Sequence, residues 1–490
     1  MNRIRSALLL GGVSLAAAVL TGPASAQLPQ AEYAQHRTAL AESVRDGIVV
    51  GMGGRNPVAD FGPFYQLPAF AYLTNYRDPD AAFVMLVRGG KGNTWLFTTP
   101  ADPRRAFYYG RRPDSSALHR TLGLAARPIA ALPALLDSLA SLGLPLYHLA
   151  DFESNDFQNA DSLSRGRSTV RALAARHPGL EVRDAHPLLN SVRARKSPAE
   201  MALIKKAAQV STEGHRAAML APEARFEYDL QAVVEGAFLK GGAARPSYGS
   251  IVGAGANGTQ LHYMRNRAAV ARGDLIVIDA GAEYEGYAAD VTRTIPTNGK
   301  FTAEQRALYQ IVRESQAAAE RNSKVGMSSV AQLDSSQRIR TAGLARLGLI
   351  EAEDATFDPP WKVDCDKQPS QCRQSMLWMI HGISHGIGLE VHDPAQFYEG
   401  DRTFKEGDAF TIEPGIYITT RSLDALPDTP KNRAFIARVK ATVARYENSG
   451  VRIEDSYIIT DKGTERVSLA PREIAEIEAL MAKRPPRVVP

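Results

Sequence analysis

The sequence predicts an α+β fold in two parts, a smaller α/β domain followed by a larger domain whose two halves are related by an internal repeat. Strand-like and helix-like segments alternate before residue 190, whereas helices flank clustered strands after residue 197. A nine-residue pattern occurs twice in the second part, at Gly273–Gly281 and Gly407–Gly415. We therefore expect domains at 27–190 and 197–485.

The first 26 residues resemble a targeting segment. Arg3 and Arg5 precede the apolar stretch Ala7–Leu20, and a small-residue cleavage site follows at Ala24–Ala26. This layout is typical of a secretory signal peptide, cut before Gln27. Fourteen apolar residues with two glycines are short for a membrane span. We expect an exported protein, periplasmic or secreted, with no membrane span in the mature chain.

Charge and cysteine content predict no special partner. The full chain has a net charge of +5, and removing the two signal-peptide arginines leaves +3. A local basic cluster follows residue 103, and we expect it to be a solvated face rather than a nucleic-acid site. Its members are Arg104, Arg105, Arg111 and Arg112. Cys365 and Cys372 lie in one polar loop, which favours a local disulfide over two free thiols in an oxidising compartment.

Four segments define the expected α/β character of the first domain. Residues 81–90 and 91–100 read as a hairpin with a glycine-rich turn. Residues 128–144 have the periodicity of an amphipathic helix, and 147–152 read as a following strand. None of these segments carries an obvious chemical motif.

The second domain begins at a helix-start signal. Ser197, Pro198 and Glu200 form an N-cap, a first-turn proline and a capping box, and the helix should stop before Pro222. Further helices are expected at 226–242 and 302–322, the latter with its own capping box at Thr302. Strands are expected at 274–294, 408–418 and 451–460.

The internal repeat carries acids at matching positions. Both copies read Gly-Asp, four residues ending in Ile, an acid, any residue and Gly, so Asp279 corresponds to Glu413. Each copy is followed by a strand with a further acid, Asp290 in the first and Glu454 in the second. Coincidence between two strands is the alternative, but the number of matches favours a duplicated, pseudo-symmetric half.

The first copy forms a predicted hairpin with two acids on one face. A turn at Tyr284-Glu285 would pair Asp279 with Asp290, and a turn at Glu285-Gly286 would place Asp290 opposite Gly281. Because side chains alternate with period two, either turn leaves the two acids on the same face, with Cβ atoms about 5–8 Å apart. Arg293 lies on the opposite face by parity. A metal ion between the carboxylates is the natural way to balance their charge.

Histidines supply further candidate ligands. His381, His385 and His392 fall in one glycine-rich segment, and His262 precedes the first repeat. His381 and His385 have helical spacing, but the surrounding glycines predict a loop that enters a strand. Singly, such a histidine is more often a core residue, and a strand glutamate more often faces solvent. Together, four carboxylates and an imidazole favour Mn²⁺ or Co²⁺, and two such ions would balance four carboxylates.

These residues resemble the pita-bread metallopeptidases, in the branch of aminopeptidase P and prolidase. The matching segments are ANGTQLHY, DAGAEYEGYAADVTRT, HGISHGIGLEVHD, TIEPGIY and GVRIED, in the family's order. FAYLTNYRDPDAAFVML and RARKSPAEMALIKKA look like the additional N-terminal domain of that branch, which has a creatinase-like fold. The resemblance implies a pita-bread catalytic domain at 197–485 behind a smaller α/β domain.

The resemblance also assigns roles to residues. It implies five metal ligands, with Asp290 and Glu454 bridging two ions: Asp279, Asp290, His385, Glu413 and Glu454. Asp279 would bind one ion, and His385 and Glu413 the other. Glu413 would also help to deprotonate the bridging water. His262, His381 and His392 match positions that hold the substrate and stabilise the tetrahedral intermediate. Arg452 is expected to orient Glu454.

By this resemblance the chain is an Xaa-Pro aminopeptidase, in which a metal-bridging hydroxide attacks the bond before a proline in second position. The implied cofactors are two divalent ions, Mn²⁺ first, with Co²⁺ or Zn²⁺ as alternatives, and homodimers are common among the relatives. The competing hypotheses are a prolidase using Arg402 for the dipeptide carboxylate, a creatinase-like enzyme, and a non-catalytic peptide-binding module. The segment Thr419–Gly450 is long enough to form a lid.

Overall fold

The computed structural model describes residues 28–56, 62–149 and 164–485. The expected signal peptide at 1–26 lies outside the described residues, as does the second half of the strand expected at 147–152. The described residues contain no helix that is long and apolar enough to cross a membrane.

The N-terminal part is a mixed sheet with strand order β4-β3-β2-β1-β5-β6 and helices on both faces. The strands are β1 (Gly47–Met52), β2 (Ala82–Arg88), β3 (Lys91–Thr98), β4 (Ala125–Pro128), β5 (Leu146–Leu149) and β6 (Val182–Asp184). The helices are α1 (Gln30–Val44), α2 (Pro68–Thr74), α3 (Pro103–Tyr109), α4 (Ser115–Leu122), α5 (Leu132–Ala140), α6 (Arg165–Arg176) and α7 (His186–Arg193).

The central strand β1 explains this layering, because it is apolar and buried along its whole length. Val49 faces a core that includes Leu40 of α1 and Leu189 of α7. Ile48 points to the other face, into a core that includes Leu136 of α5. A strand buried on both faces requires helices on both sides of the sheet, and the predicted α/β character of this domain is confirmed.

The predicted hairpin of the first domain is confirmed, and the predicted helix is shorter than expected. Strands β2 and β3 pair antiparallel, with Arg88 opposite Lys91. Helix α5 begins at Leu132 rather than at residue 128, with Pro133 in its first turn, and ends at Ala140 before Gly143, whose φ is +69°. In the basic cluster, Arg104, Arg105 and Arg111 are exposed and Arg112 is half-buried.

The C-terminal part combines small antiparallel sheets with surrounding helices. Its strands are β7 (Arg245–Pro246), β8 (Ile251–Ala254), β9 (Leu275–Asp279), β10 (Ala282–Tyr284), β11 (Tyr287–Ala288), β12 (Thr292–Pro296), β13 (Ala409–Ile412), β14 (Gly415–Ile418), β15 (Ser449–Arg452), β16 (Asp455–Thr460) and β17 (Gly463–Arg466). Its helices are α8 (Pro198–Leu220), α9 (Glu227–Lys240), α10 (Ala303–Arg321), α11 (Ser329–Leu347), α12 (Thr420–Asp424), α13 (Pro430–Arg445) and α14 (Ile474–Met481). The predicted α+β class is confirmed.

Helix starts were the most accurate part of the sequence prediction. The Ser197 capping box opens α8, which ends at Leu220, before Pro222. The Thr302–Gln305 capping box opens α10. Helix α11 was not predicted, although Ser328 caps its first turn and Gly348 ends it in the left-handed region. Helix α11 pairs with α10 against the core of the second domain.

The segment Thr419–Gly450 is not a lid. It folds into α12 and α13, and α13 buries Phe435, Val439 and Val443 in the main core of the second domain. A lid must be able to leave the surface without disrupting a hydrophobic core. Burial of these three side chains stabilises the packed position of α13 by about 1.5–3 kcal/mol for each side chain. The possibility that this segment forms a lid is therefore not supported for α13.

Candidate metal centre

In both copies of the repeat, the matching acid lies at the end of a strand. Asp279 is the last residue of β9, and Glu413 directly follows β13. The first glycine of each copy has the same left-handed conformation, with φ of +96° at Gly273 and +95° at Gly407. Strand β9 pairs antiparallel with β12, and β13 pairs antiparallel with β16. The two copies are thus structurally equivalent strand pairs.

The ligand hairpin turns at Glu285-Gly286, the second of the two predicted alternatives. Thr292 lies opposite Asp279, and Glu283 lies opposite Ala288, a register that places Asp290 across from Gly281. Both turn residues have positive φ, +52° and +88°, as a type I′ turn requires. At Gly281 a Cβ would lie 1.8 Å from the Ala289 carbonyl oxygen, so only glycine fits between the two acids.

Three of the predicted ligands form one compact group. Ligand atoms of Asp290, His385 and Glu454 all lie within 4.8 Å of one another, and all three residues are buried. His385 Nε2 lies 3.5 Å from Asp290 Oδ2 and 3.7 Å from Glu454 Oε1. The same nitrogen lies 3.6 Å from Glu413 Oε1, which adds the fourth predicted ligand.

Tyr248 joins the fifth predicted ligand to this group. Its hydroxyl contacts Asp279 Oδ1 at 2.5 Å and also contacts Asp290 Oδ1, so the two hairpin aspartates lie side by side. Burial and the neighbouring carboxylates raise the pKa of Tyr248 well above its usual value, which keeps the hydroxyl a proton donor. A role for Tyr248 was not predicted from the sequence. Asp279 and Asp290 lie 31 and 42 positions further along the chain, and no local motif links Tyr248 to them.

Arg452 supports Glu454 through Thr292 rather than by a direct contact. Its guanidinium forms an ion pair with Asp279 and donates to the Tyr417 hydroxyl at 2.7 Å. Glu454 is instead held by Thr292, whose hydroxyl donates to Glu454 Oε2 at 2.6 Å. Arg452 Nε donates to the same Thr292 hydroxyl oxygen at 3.2 Å, so the side chains of Arg452 and Glu454 meet at Thr292.

Arg293 lies on the opposite face of the sheet, as its parity predicts. It is fully buried, forms an ion pair with Asp455 at 2.6 Å and donates to the Glu454 carbonyl oxygen at 2.5 Å. Its charge is therefore balanced by Asp455, and it supports the backbone of Glu454 from behind.

The carboxylates repel each other strongly in the absence of cations. Burial, Glu454 and Asp279 raise the pKa of Asp290 well above its usual range. Burial and Glu454 raise the pKa of Glu413 to about 8. Burial alone would lower the pKa of His385, but the Glu454 and Glu413 carboxylates raise it to about 9. The group holds more negative charge than its own cations balance.

The residues present fit divalent metal ions. Glu454 Oε1 is buried and has no hydrogen-bond partner in the described part of the chain, although its other oxygen is bonded. A buried carboxylate oxygen without a donor is costly unless a cation contacts it. The donor set of four carboxylates and one imidazole suits hard or borderline divalent ions. The five side chains are thus a candidate metal centre, with Asp290, His385 and Glu454 as its compact part.

Two of the three other predicted histidines contact this centre. His392 lies with its ring centroid 4.1 Å from that of His385. His381 Nε2 lies 2.8 Å from the Tyr417 hydroxyl, and His381 Nδ1 lies 3.5 Å from Glu413 Oε2. His262 is exposed. The loop that carries His381 and His385 is irregular, as its glycines predict.

Comparison with known proteins identifies the family. Residues 202–461 match the model of metallopeptidase family M24, and residues 33–145 match that of the aminopeptidase P N-terminal domain. The chain is 32% identical to an Xaa-Pro aminopeptidase of Escherichia coli, covering 93% of this chain and 98% of that protein. A Haemophilus influenzae protein of the same name is 32% identical over 93% of this chain and 98% of its own length.

Solved structures agree with these matches. The proline aminopeptidase P II of Yersinia pestis has a TM-score of 0.75 at 30% identity, over 93% of this chain and all of that chain. A zinc-substituted E. coli aminopeptidase P with bound product has a TM-score of 0.76 at 31% identity, over 94% of this chain and all of that chain. The chain therefore belongs to metallopeptidase family M24, in its aminopeptidase P branch.

Proposed function

We propose that this metallopeptidase is an Xaa-Pro aminopeptidase, which releases the first residue of peptides whose second residue is proline. The observation that carries the proposal is the convergence of the five predicted ligands with the surrounding histidines. The names of the E. coli and H. influenzae relatives, which align over nearly the whole chain, support the same substrate class.

The centre would hold two divalent ions, Mn²⁺ first, with Co²⁺ or Zn²⁺ as alternatives. Asp290, His385 and Glu454 of the compact group would hold these ions together with Asp279 and Glu413. Two such ions lower the pKa of a water molecule held between them and polarise the scissile carbonyl.

The surrounding side chains would handle protons and hold the substrate. The Glu413 carboxylate would accept a proton from the attacking water, as a general base must. Burial, together with the charges of Arg452 and Arg340, lowers the pKa of His381 well below its usual value, so His381 is neutral at pH 7. A neutral imidazole has one donor nitrogen, which would donate to the developing oxyanion. His392 and His262 would hold the peptide.

The prolidase alternative rests on Arg402 as a partner for a dipeptide carboxylate. Arg402 is exposed and has a positive φ of +53°, in a loop that follows His392 by ten residues. A cation in such a solvated position is a weak anchor for a carboxylate. The structure thus offers less support for a dipeptidase than for an aminopeptidase.

A peptide panel tests the proposed function. The Mn²⁺-loaded protein should release the first residue of Xaa-Pro-Pro much faster than it cleaves an Xaa-Pro dipeptide or Xaa-Ala-Pro. Glu454→Gln should abolish this activity, whereas Glu465→Gln, an exposed carboxylate paired with Lys205, should preserve it. Cleavage of the dipeptide alone would identify a prolidase, and no hydrolysis by the metal-loaded protein would refute the enzyme assignment to this substrate class.

We also propose that the protein is exported. The layout of residues 1–26 supports this, and so does the disulfide between Cys365 and Cys372, a bond that persists in oxidising compartments. N-terminal sequencing of the protein from cells should find Gln27 as the first residue of the mature chain. Retention of Met1 in protein that stays inside the cell would contradict export.

A further inference from the structure

We propose that Arg193 and Lys196, in the linker between the two domains, are positioning residues that set the orientation of His392 through the buried carboxylate of Asp393. The inference rests on the proposed function, in which His392 holds the peptide substrate. Neither linker residue lies within the segments that match the two family models, which end at residue 145 and begin at residue 202.

The linker and the His392 loop are joined by a buried ion cluster. Arg193 Nη2 lies 2.5 Å from Asp393 Oδ1 and 2.7 Å from Glu390 Oε2. Lys196 Nζ lies 2.9 Å from Asp393 Oδ2 and donates to the Pro394 carbonyl oxygen at 2.6 Å. The side chains of Arg193, Lys196 and Asp393 are only 1–2% exposed.

The two cations and two carboxylates of this cluster balance each other. Buried charges are tolerated only when they are paired and hydrogen-bonded. Removal of one cation would leave Asp393 with excess negative charge in a place that water does not reach. Asp393 would then take up a proton or move toward solvent, and either change alters the bonds that hold its loop.

The loop from Gly386 to Asp393 is folded around the Asp393 carboxylate. The Asp393 N–H donates to the Gly386 carbonyl oxygen at 3.0 Å, and the Glu390 N–H donates to Asp393 Oδ1 at 3.1 Å. At Gly388 a Cβ would lie 2.5 Å from Asp393 Oδ2 and 3.0 Å from Lys196 Cε. Glycine is required there because the ion cluster fills the space.

Displacement of Asp393 would move His392, its neighbour in sequence. The His392 ring lies 4.1 Å from the ring of His385, a metal ligand. The same loop accepts a hydrogen bond from the ligand hairpin, from the Ala288 N–H to the Gly388 carbonyl oxygen at 2.7 Å. The cluster therefore fixes His392 relative to both His385 and the hairpin acids.

The N-terminal domain takes part in this arrangement. Arg193 ends α7, whose Leu189 belongs to the N-terminal core. Leu389 of the His392 loop packs against that same core. The first domain thus contacts the His392 loop in two ways, through the packing of Leu389 and through the ion cluster of Arg193 and Lys196 with Asp393.

A double-mutant cycle tests the positioning role. Arg193→Met should lower kcat/KM for Xaa-Pro-Pro by about 10–100-fold, in the range of lost supporting contacts at metal centres. If Arg193 acts through His392, the double variant with His392→Ala should be no less active than His392→Ala alone, within about twofold. Lys205→Met, which breaks an exposed ion pair, should stay within twofold of wild type. If the fold-loss of kcat/KM in the double variant equals the product of the two single-variant losses, the inference is overturned.

Histidine NMR provides a readout that does not depend on activity. In the metal-free protein, Arg193→Met should shift the ring resonances of His392, assigned through His392→Ala, and leave those of the buried His215 unchanged. Arg193→Lys, which keeps the charge, should restore most of the wild-type His392 signal. Unchanged His392 resonances, or equal shifts at His215 that report general loosening, would overturn the inference. Failure of the wild type to cleave Xaa-Pro-Pro would instead refute the proposed function.

Discussion

At the scale of single residues, the centre depends on how two adjacent aspartates are held together. Tyr248 contacts both carboxylates, and Arg452 is paired with Asp279. A tyrosine hydroxyl has one hydrogen, so it can donate to only one of them at a time. Tyr248 therefore orients the acids without balancing their charge, and that balance is left to metal ions.

Tyr248→Phe should weaken metal binding without unfolding the protein. Loss of a hydrogen bond that orients a ligand typically costs 10–100-fold in metal affinity. The measurement is chelator competition for Mn²⁺. Tyr309→Phe is the matched control, because that hydroxyl is bonded to the Arg472 carbonyl oxygen, away from the ligand carboxylates. An unchanged affinity in Tyr248→Phe would show that the two contacts do not orient the ligands.

The candidate ligands could be located in the sequence because each belongs to a local pattern. Asp279 and Glu413 end matching strands, and the period-two rule places Asp290 on the face of Asp279. The residues that support them leave no such pattern. Tyr248 and Thr292 reach their carboxylates across the fold, and Arg452 pairs with Asp279 directly and reaches Glu454 through Thr292.

At the scale of elements, the ligand hairpin depends on its two-residue turn. Gly286→Ala should destabilise the protein by about 1–2 kcal/mol, because φ is +88° at this position and an L-residue is strained there. Gly236→Ala in the interior of α9, where a Cβ meets open space, should instead stabilise by about 0.5–1 kcal/mol. Chemical unfolding measures both. A neutral Gly286→Ala would mean that the turn has a different conformation.

Helix α8 packs on the same hairpin through His215, which makes stability pH-dependent. His215 is buried and hydrogen-bonded to the Ala280 carbonyl oxygen, and burial and the Arg293 charge lower its pKa to about 4. The folded protein keeps this ring neutral where the unfolded chain, with a pKa near 6.5, takes up a proton. His215 therefore contributes about 3 kcal/mol to the free energy of unfolding above pH 6.5. This contribution is lost as the pH falls toward 4.

His215→Gln should therefore flatten the fall in unfolding free energy between pH 6.5 and 4. Glutamine keeps an N–H donor for Ala280 but does not titrate. The comparison uses metal-free wild type and variant, so that titration of the metal ligands affects both equally. The same pH slope in the two proteins would show that His215 is protonated in the folded state.

Elements with local stop and start signals could be predicted, and those without them could not. The capping boxes at Ser197 and Thr302 marked α8 and α10 correctly. The segment Thr419–Gly450 seemed free to move because its length says nothing about burial. Only the fold reveals that Phe435, Val439 and Val443 face the main core.

At the scale of the whole molecule, the active site is assembled from distant parts of the chain. The repeat predicted two structurally equivalent strand pairs, and their antiparallel pairing agrees. The sequence did not predict that the linker would carry the partners of Asp393. Residues about 200 positions apart in sequence form that contact, and only the packing of the two domains brings them together.

The most direct test of the account is a Mn²⁺ titration of chelator-treated protein, with release of the first residue from Xaa-Pro-Pro as the readout. Five converging ligands for two ions predict no activity before metal is added and a maximum near two equivalents per chain. Glu454→Gln should stay inactive throughout the titration. Full activity of the metal-free protein, or no hydrolysis after two equivalents have bound, would contradict the account.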